Sequence, residues 1–142
     1  MKRLAVLLVV VLASAAFAGV QDFGKFTVDV ADGWTATQNG PSAVITKNDN
    51  TAALSITVSP AEASAADLAA AFAEEFKKSF ATVSAPEADS DGDYSWDMTN
   101  SAGVNTHAML HVEDGDYILI TMTGVETAGD EISAMLGSIK DK

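Results

Sequence analysis

Three residues with metal-binding side chains occupy alternate positions in the last third of the chain: His107, Met109 and His111. Successive side chains of a β-strand point to opposite faces, so a strand here would place all three on one face. Imidazole and thioether together suit copper, particularly Cu(I). Residues two apart on a strand are roughly 6.5–7 Å apart at Cα, so they share a metal only with bent rotamers. The alternative is a half-covered sheet face with the histidines at its margin.

Neighbouring predicted strands contribute further residues to this hypothesis. Trp96 and Met98 share one face of the preceding strand, and Met122 lies on the following strand. If these faces coincide with that of the histidines, a small cluster of Met, His and Trp side chains forms.

A second pattern with possible metal chemistry is the acidic run Asp89-x-Asp91-Gly92-Asp93. Alternate carboxylates around a glycine turn are how calcium loops gather oxygen ligands. The run departs from an EF-hand, which has glycine at the sixth position and glutamate at the twelfth, where this chain has Tyr94 and Asn100. The alternative is a solvated connection, and calcium binding is a second metal hypothesis.

The sequence gives little support for catalysis. It contains no serine in a nucleophile-elbow setting and no glycine-rich phosphate loop. Glu113, Asp114 and Asp116 crowd a predicted hairpin turn, where carboxylates are exposed, whereas a general acid needs the raised pKa that burial provides. We therefore predict that the protein is not an enzyme.

The first 18 residues have the three-part pattern of a secretory signal peptide. Lys2 and Arg3 precede an unbroken apolar run over residues 4–12, and Ala16 and Ala18 supply small residues for cleavage. The apolar stretch is shorter than the roughly 20 residues of a membrane-spanning helix. We expect residues 1–18 to be cleaved and residues 19–142 to form one domain, located in the periplasm or outside the cell. The chain has no cysteine that could carry a lipid, so no stable membrane anchor is expected.

Composition limits the classes of partner. The chain has a formal net charge of −12, and removal of Lys2 and Arg3 with the signal would make it −14. Such a charge repels phosphate backbones and anionic lipids, so nucleic-acid binding is not expected. With no cysteine, the exported domain must fold without disulfides.

Periodicity predicts an α+β fold in the order βββ(β)-α-βββ-α. Ser64 begins an amphipathic helix of about 17 residues, along which Leu68, Phe72, Phe76 and Phe80 recur every four residues as a core ridge. A short final helix carries an apolar stripe, with Thr127 or Asp130 as its cap. The two helices are predicted to pack on a mostly antiparallel sheet of about six strands. The predicted strands cover residues 26–30, 34–38, 43–47, 51–58, 94–99, 104–112 and 117–124. Asn39-Gly40 and Asp114-Gly115 are predicted hairpin turns.

This order resembles that of a known family. A first strand leads to a Gly-Trp step at Gly33-Trp34, and a terminal helix ends in a Leu-x-Ser-aliphatic-Lys step over residues 136–140. With the Ala- and Phe-rich helix between them, these features resemble the PsbP-like sandwich group, which includes the DcrB-type envelope proteins. The chain has Asp32 where that group has proline before Gly-Trp, and it lacks the lipid-bearing cysteine of many DcrB-type members. The resemblance implies the fold and a non-enzymatic accessory role, with no catalytic residues to transfer.

Two functions follow as expectations. The first is a soluble, non-catalytic periplasmic accessory or binding protein that acts on another envelope protein and needs no cofactor. The alternative is a periplasmic metal-binding protein that uses His107, Met109 and His111 for copper. The sequence leaves the oligomeric state open.

Overall fold

Strands account for most of the regular structure in residues 18–142, the part of the chain that the computed structural model describes. The predicted export signal lies outside these residues, except for Ala18. The two helices are α1 (Ala65–Phe76) and α2 (Val125–Gly137). The strands are β1 (Gly19–Asp22), β2 (Phe26–Val30), β3 (Trp34–Asn39), β4 (Ser42–Lys47), β5 (Ala53–Pro60), β6 (Thr82–Val83), β7 (Glu87–Ala88), β8 (Tyr94–Thr99), β9 (Asn105–Glu113), β10 (Asp116–Thr123) and β11 (Lys140–Asp141).

The strands form two sheets. The larger has the order β3-β4-β5-β10-β9-β8-β6, with β7 also paired to β8, and the smaller has the order β1-β2-β11. All of these pairings are antiparallel. The predicted fold class, α+β with a mostly antiparallel sheet and two helices, is confirmed. Strands are more numerous than the six expected, because β1, β11, β6 and β7 are too short to show an alternating pattern.

Tight turns set the register of the two predicted hairpins. Asp114-Gly115 joins β9 to β10 with φ values of 52° and 82°, as a type I′ turn requires. The first hairpin is also confirmed, but its turn lies one residue later than predicted, because Asn39 pairs with Ser42. Its central residues are Gly40, with φ of 59°, and Pro41, which fits a turn with glycine at the first central position.

The small sheet and α2 cover one face of the large sheet at the β3–β5 end. Apolar side chains of β2 and α2 pack there against alternate residues of β3, β4 and β5. The largest fully buried members of this first core cluster are Phe26, Val28, Val30, Ile45, Leu54, Ile56, Ile132 and Met135. Neither helix of residues 18–142 is long and apolar enough to span a bilayer.

Helix α1 covers the opposite face, at the β8–β10 end. Ala69 and Ala73 let the helix approach the sheet closely, and beside them Phe76 packs against Trp96 and Phe72 against Tyr117. The phenylalanine ridge therefore belongs to the core, as predicted. Helix α1 therefore packs on one side of the large sheet, and α2 with the small sheet packs on the other side, nearer the opposite end.

Helix α1 is shorter than predicted, and α2 is kinked. Helix α1 begins after Ser64, which accepts the backbone N–H of Asp67 as expected, but it has 12 residues rather than about 17. Phe80 extends the ridge beyond the helix by packing edge-on against Phe76, so the apolar period outlasts the helix. Helix α2 spans 13 residues but is kinked at Ala128, whose φ of −122° and ψ of 20° are not helical, so the segment that carries the predicted apolar stripe is short. It is capped by Gly124 in the left-handed region rather than by Thr127 or Asp130.

Candidate functional site

Strand β9 presents two contrasting faces. Ala108 and Leu110 are fully buried beneath α1, while His107, Met109 and His111 all lie on the other side. The predicted shared face of these three residues is confirmed. Met109, although it lies on an interior strand of the sheet, is 39% exposed.

The strand register shows which face of the large sheet these three residues share. His107 lies opposite Met122 and Met109 opposite Ile120, so the three site residues share a face with the first core cluster. However, α2 and the small sheet cover that face only from β3 to β10, where Met122 is buried and Ile118 and Ile120 are partly buried, and they do not cover β9. The uncovered part, which we call the open face, comprises Asp93, Ser95, Asp97, His107, Met109 and His111.

The predicted Met/His/Trp cluster does not form as a whole. Trp96 and Met98 are buried in the second core cluster, on the opposite side of the sheet from His107. Only Met122 lies on the histidine side. In the β8–β9 pair, Ser95 lies opposite Met109 and Asp97 lies opposite His107. The odd-numbered residues of β8 therefore share the side of the histidines, and Trp96 and Met98 point to the other side.

Each histidine of the open face is bonded to a carboxylate. Nδ1 of His107 donates to Oδ1 of Asp97 at 2.7 Å. Nδ1 of His111 donates to Oδ1 of Asp93 at 2.5 Å, and its Nε2 lies 3.3 Å from Oε2 of Glu113. These carboxylates hold both imidazole rings in defined orientations across the β8–β9 pair.

The surroundings of His111 favour its protonated form. The hydrogen bond that His111 donates to Asp93 is the largest influence and raises the pKa of His111 above its ordinary value, with a further contribution from Glu113. Partial burial opposes this effect without cancelling it. An imidazolium between two carboxylates is a charge-assisted arrangement, stronger than a pair of neutral hydrogen bonds.

The copper hypothesis for His107, Met109 and His111 stays a prediction. A carboxylate lies at each ring nitrogen of His111, so a metal ion would have to displace one of them. Within residues 18–142 there is no group of three or more His, Cys, Asp or Glu side chains placed to hold a metal.

The acidic run of the calcium hypothesis forms a tight turn between β7 and β8. Oδ1 of Asp89 accepts the backbone N–H groups of Asp91 and Asp93, at 2.9 and 3.0 Å. Gly92 has φ of 82°, and the side chain of Asp93 bonds to His111. Two of the three carboxylates thus have partners within the protein, and calcium binding by Asp89, Asp91 and Asp93 remains a prediction.

A cavity of about 240 Å³ adjoins the open face where α2 begins. Met122 of β10 lines it, together with Val125 and Glu126 at the start of α2. The full lining is Asp97, Asn105, Thr106, His107, Met122, Val125 and Glu126. Sequence reasoning missed Val125 and Glu126, since nothing in their local pattern shows where the helix starts relative to β9.

The open face and the cavity are anionic. They carry Asp93, Asp97 and Glu126, with Glu113 beside them, and neither contains a lysine or arginine. Five lysines of the described chain form ion pairs elsewhere, namely Lys25–Asp116, Lys47–Glu131, Lys77–Glu74, Lys78–Glu75 and Lys142–Asp22. Within residues 18–142, no lysine or arginine side chain therefore offsets the negative charge of this surface locally.

The histidine–carboxylate pairs lack a nucleophile. In residues 18–142, no hydroxyl group of serine or threonine bonds to either imidazole, and the chain has no cysteine. A nucleophile within hydrogen-bond reach of its base is the signature of nucleophilic catalysis. Among the described residues, the surroundings of the two imidazoles do not have that signature.

Comparison with known proteins identifies the fold. No protein-family model and no curated protein matches the sequence. A structure from Bacteroides thetaiotaomicron VPI-5482 is similar, with a TM-score of 0.54, 12% identity and coverage of 89% of this chain. This chain spans about half of that structure, 49% of its length. The solution structure of cyanobacterial PsbP (CyanoP) from Synechocystis sp. PCC 6803 has a TM-score of 0.53 and 13% identity, with 89% of this chain and 95% of that chain covered. The fold is therefore PsbP-like.

Proposed function

We propose that this chain is a soluble, non-catalytic accessory protein of the bacterial envelope, which binds another protein through the open face. The observation that carries the proposal is the exposure of Met109 on an interior strand of the sheet. Interior strands are ordinarily covered on at least one face and polar on the other, whereas here an apolar side chain lies at the centre of the uncovered face.

The composition of the open face matches that of a protein-binding surface. Methionine is enriched in the cores of protein interfaces, and its flexible thioether adapts to different contacts. The two histidine–carboxylate pairs surround Met109 as a polar rim. An apolar centre within a polar rim is the usual anatomy of a protein–protein interface.

The fold supports a role without catalysis. PsbP-like proteins resemble this chain in element order, and the resemblance implies an accessory function. Fold alone does not define function, so the proposal depends on the open face and not on the similarity.

Site-specific photo-crosslinking tests the proposal. A photoreactive amino acid at position 109 should give a covalent adduct with a partner in the envelope extract, and the same group at Val20, an exposed residue of β1, should not. Met109→Glu should reduce capture of that partner at least tenfold, since it places a charge at the apolar centre. The proposal fails if position 109 gives no adduct or the same adducts as position 20.

Export is a separate part of the proposal. Because the first 18 residues have the pattern of a cleavable signal, protein recovered from the periplasm should begin at Gly19. Terminal sequencing of that fraction checks this expectation. An intact Met1 in exported protein would contradict it.

A further inference from the structure

The cavity beside the open face is the size of a single side chain. Its volume of about 240 Å³ lies below the roughly 300–1,000 Å³ typical of sites for whole small molecules. Met122 and Val125 give it an apolar surface, and Val125 is 44% exposed. Asp97 and Glu126 contribute carboxylates to the same lining.

This combination suits a long cationic side chain. Lysine and arginine lay their methylene stems along apolar surface and keep the charged end among polar groups. Met122 and Val125 offer surface for such a stem. His107 bonds to Oδ1 of Asp97, so Oδ2 remains as an acceptor for a guanidinium or ammonium group. Arginine fits best, because the five N–H donors of its planar guanidinium can reach Oδ2 of Asp97 and the carboxylate of Glu126 together.

Charge around the cavity favours the same partner. The chain has a net charge of −12, and no lysine or arginine of residues 18–142 lies on the open face or in the cavity. Complementary potentials steer partners together, and like charges disfavour the wrong ones. An acidic segment or a second copy of this chain is therefore disfavoured at this surface.

We infer that the partner carries a basic segment, one arginine or lysine of which inserts between Asp97 and Glu126 while neighbouring residues cover Met109. This inference rests on the proposed function and specifies the chemistry of the partner. The cavity receives the basic side chain, and the open face beside it extends the contact along β9.

Peptide binding followed by NMR tests the inference. The mature protein is titrated with tetra-arginine amide and, as a neutral isostere, with tetra-citrulline amide. Tetra-arginine should shift the backbone amide signals of Thr106, His107, Val125 and Glu126 in a saturable manner, and tetra-citrulline should not. The double variant Asp97→Asn/Glu126→Gln should bind tetra-arginine at least fivefold more weakly.

A matched variant separates the site from general attraction. Asp29→Asn/Glu62→Gln removes two exposed carboxylates outside the open face and should bind within twofold of the original protein. Equal weakening in both double variants, shifts at other residues, or equal binding of tetra-citrulline would overturn the inference. If Met109 crosslinks a partner whose capture is unchanged by Asp97→Asn/Glu126→Gln, the inference fails while the proposed function stands. The absence of any adduct at position 109 defeats the proposed function instead.

Discussion

At the scale of single residues, the open face is defined by how carboxylates surround its two imidazoles. His107 has one carboxylate partner, Asp97, whereas His111 lies between Asp93 and Glu113. Asp93 comes from the turn before β8 and Glu113 from the end of β9, so the pairing links two elements. His111 therefore contributes to stability in a way that depends on pH.

The pKa of His111 is raised in the folded protein, so the native state binds this proton more tightly than the unfolded chain does. Its stabilising contribution is fully present below the ordinary histidine pKa of about 6.5 and is lost as pH rises through the folded-state value. His111→Gln should therefore be destabilising at about pH 5.5, by less than about 1 kcal/mol since solvent screens the pair, and nearly neutral at about pH 8.5. Urea denaturation at both pH values measures the difference.

Asp93→Asn is the companion variant for this measurement. It replaces the charged acceptor of the hydrogen bond that contributes most to the raised pKa with a neutral amide oxygen, so the pH dependence assigned to His111 should be much smaller. An equal stability deficit of His111→Gln at both pH values would contradict the assignment.

At the scale of elements, buried and exposed side chains alternate along β9. Leu110 is fully buried under α1, and its neighbour Met109 is 39% exposed on the other side. Leu110→Ala should cost about 2–5 kcal/mol of folding free energy, because it leaves a cavity in the second core cluster. Met109→Ala should change stability by no more than about 0.5 kcal/mol. Similar losses in chemical denaturation of the two variants would show that the open face is covered.

The entry to α2 depends on Gly124. Its φ is 80°, and a Cβ there would lie 2.3 Å from the carbonyl oxygen of Thr51. Strain and overpacking together predict a loss of about 2–5 kcal/mol for Gly124→Ala. Gly129, in the same helix, would place a Cβ at an ordinary 3.6 Å from Val125, so Gly129→Ala should be neutral or stabilise by up to about 1 kcal/mol. Thermal melts of both variants test this contrast, and equal effects would refute it.

At the scale of the whole molecule, two core clusters lie on opposite faces of one sheet and share β10. Leu119 of that strand belongs to the cluster under α1, and Met122 belongs to the cluster under α2. Because β10 contributes side chains to both clusters, loss of this strand would disrupt the packing of both. The domain should therefore unfold as one cooperative unit rather than in two steps.

The two tryptophans report on this coupling separately. Trp34 is buried in the first cluster and Trp96 in the second, each 2% exposed. Trp96→Phe leaves Trp34 as the only indole, and Trp34→Phe leaves Trp96. In each variant, the urea midpoint from fluorescence should equal that from far-UV circular dichroism. Different midpoints within either variant would indicate that the clusters unfold independently.

Local sequence predicts the elements well where the physical cause is local. The alternation in residues 104–112 places His107, Met109 and His111 on one face because side-chain direction on a strand has a period of two. Asp114-Gly115 forms its turn because only residues that tolerate positive φ fit there. The pairing of His107 with Asp97 also follows from the register of β8 and β9, once their connecting turn is known.

Tertiary structure alone decides which of the two faces of β9 is covered. Alternation shows which residues share a side, but α1 and α2 approach the sheet from opposite sides and are staggered along it. The end residues Gly19–Asp22 and Lys140–Asp141 both pair with β2, and no local pattern specifies so distant a pairing. The sequence by itself therefore determined the types of the longer elements and placed His107, Met109 and His111 together on the side of β9 that became the open face. Its exposure, and the cavity formed where Val125 and Glu126 meet it, arise from packing between segments far apart in the chain.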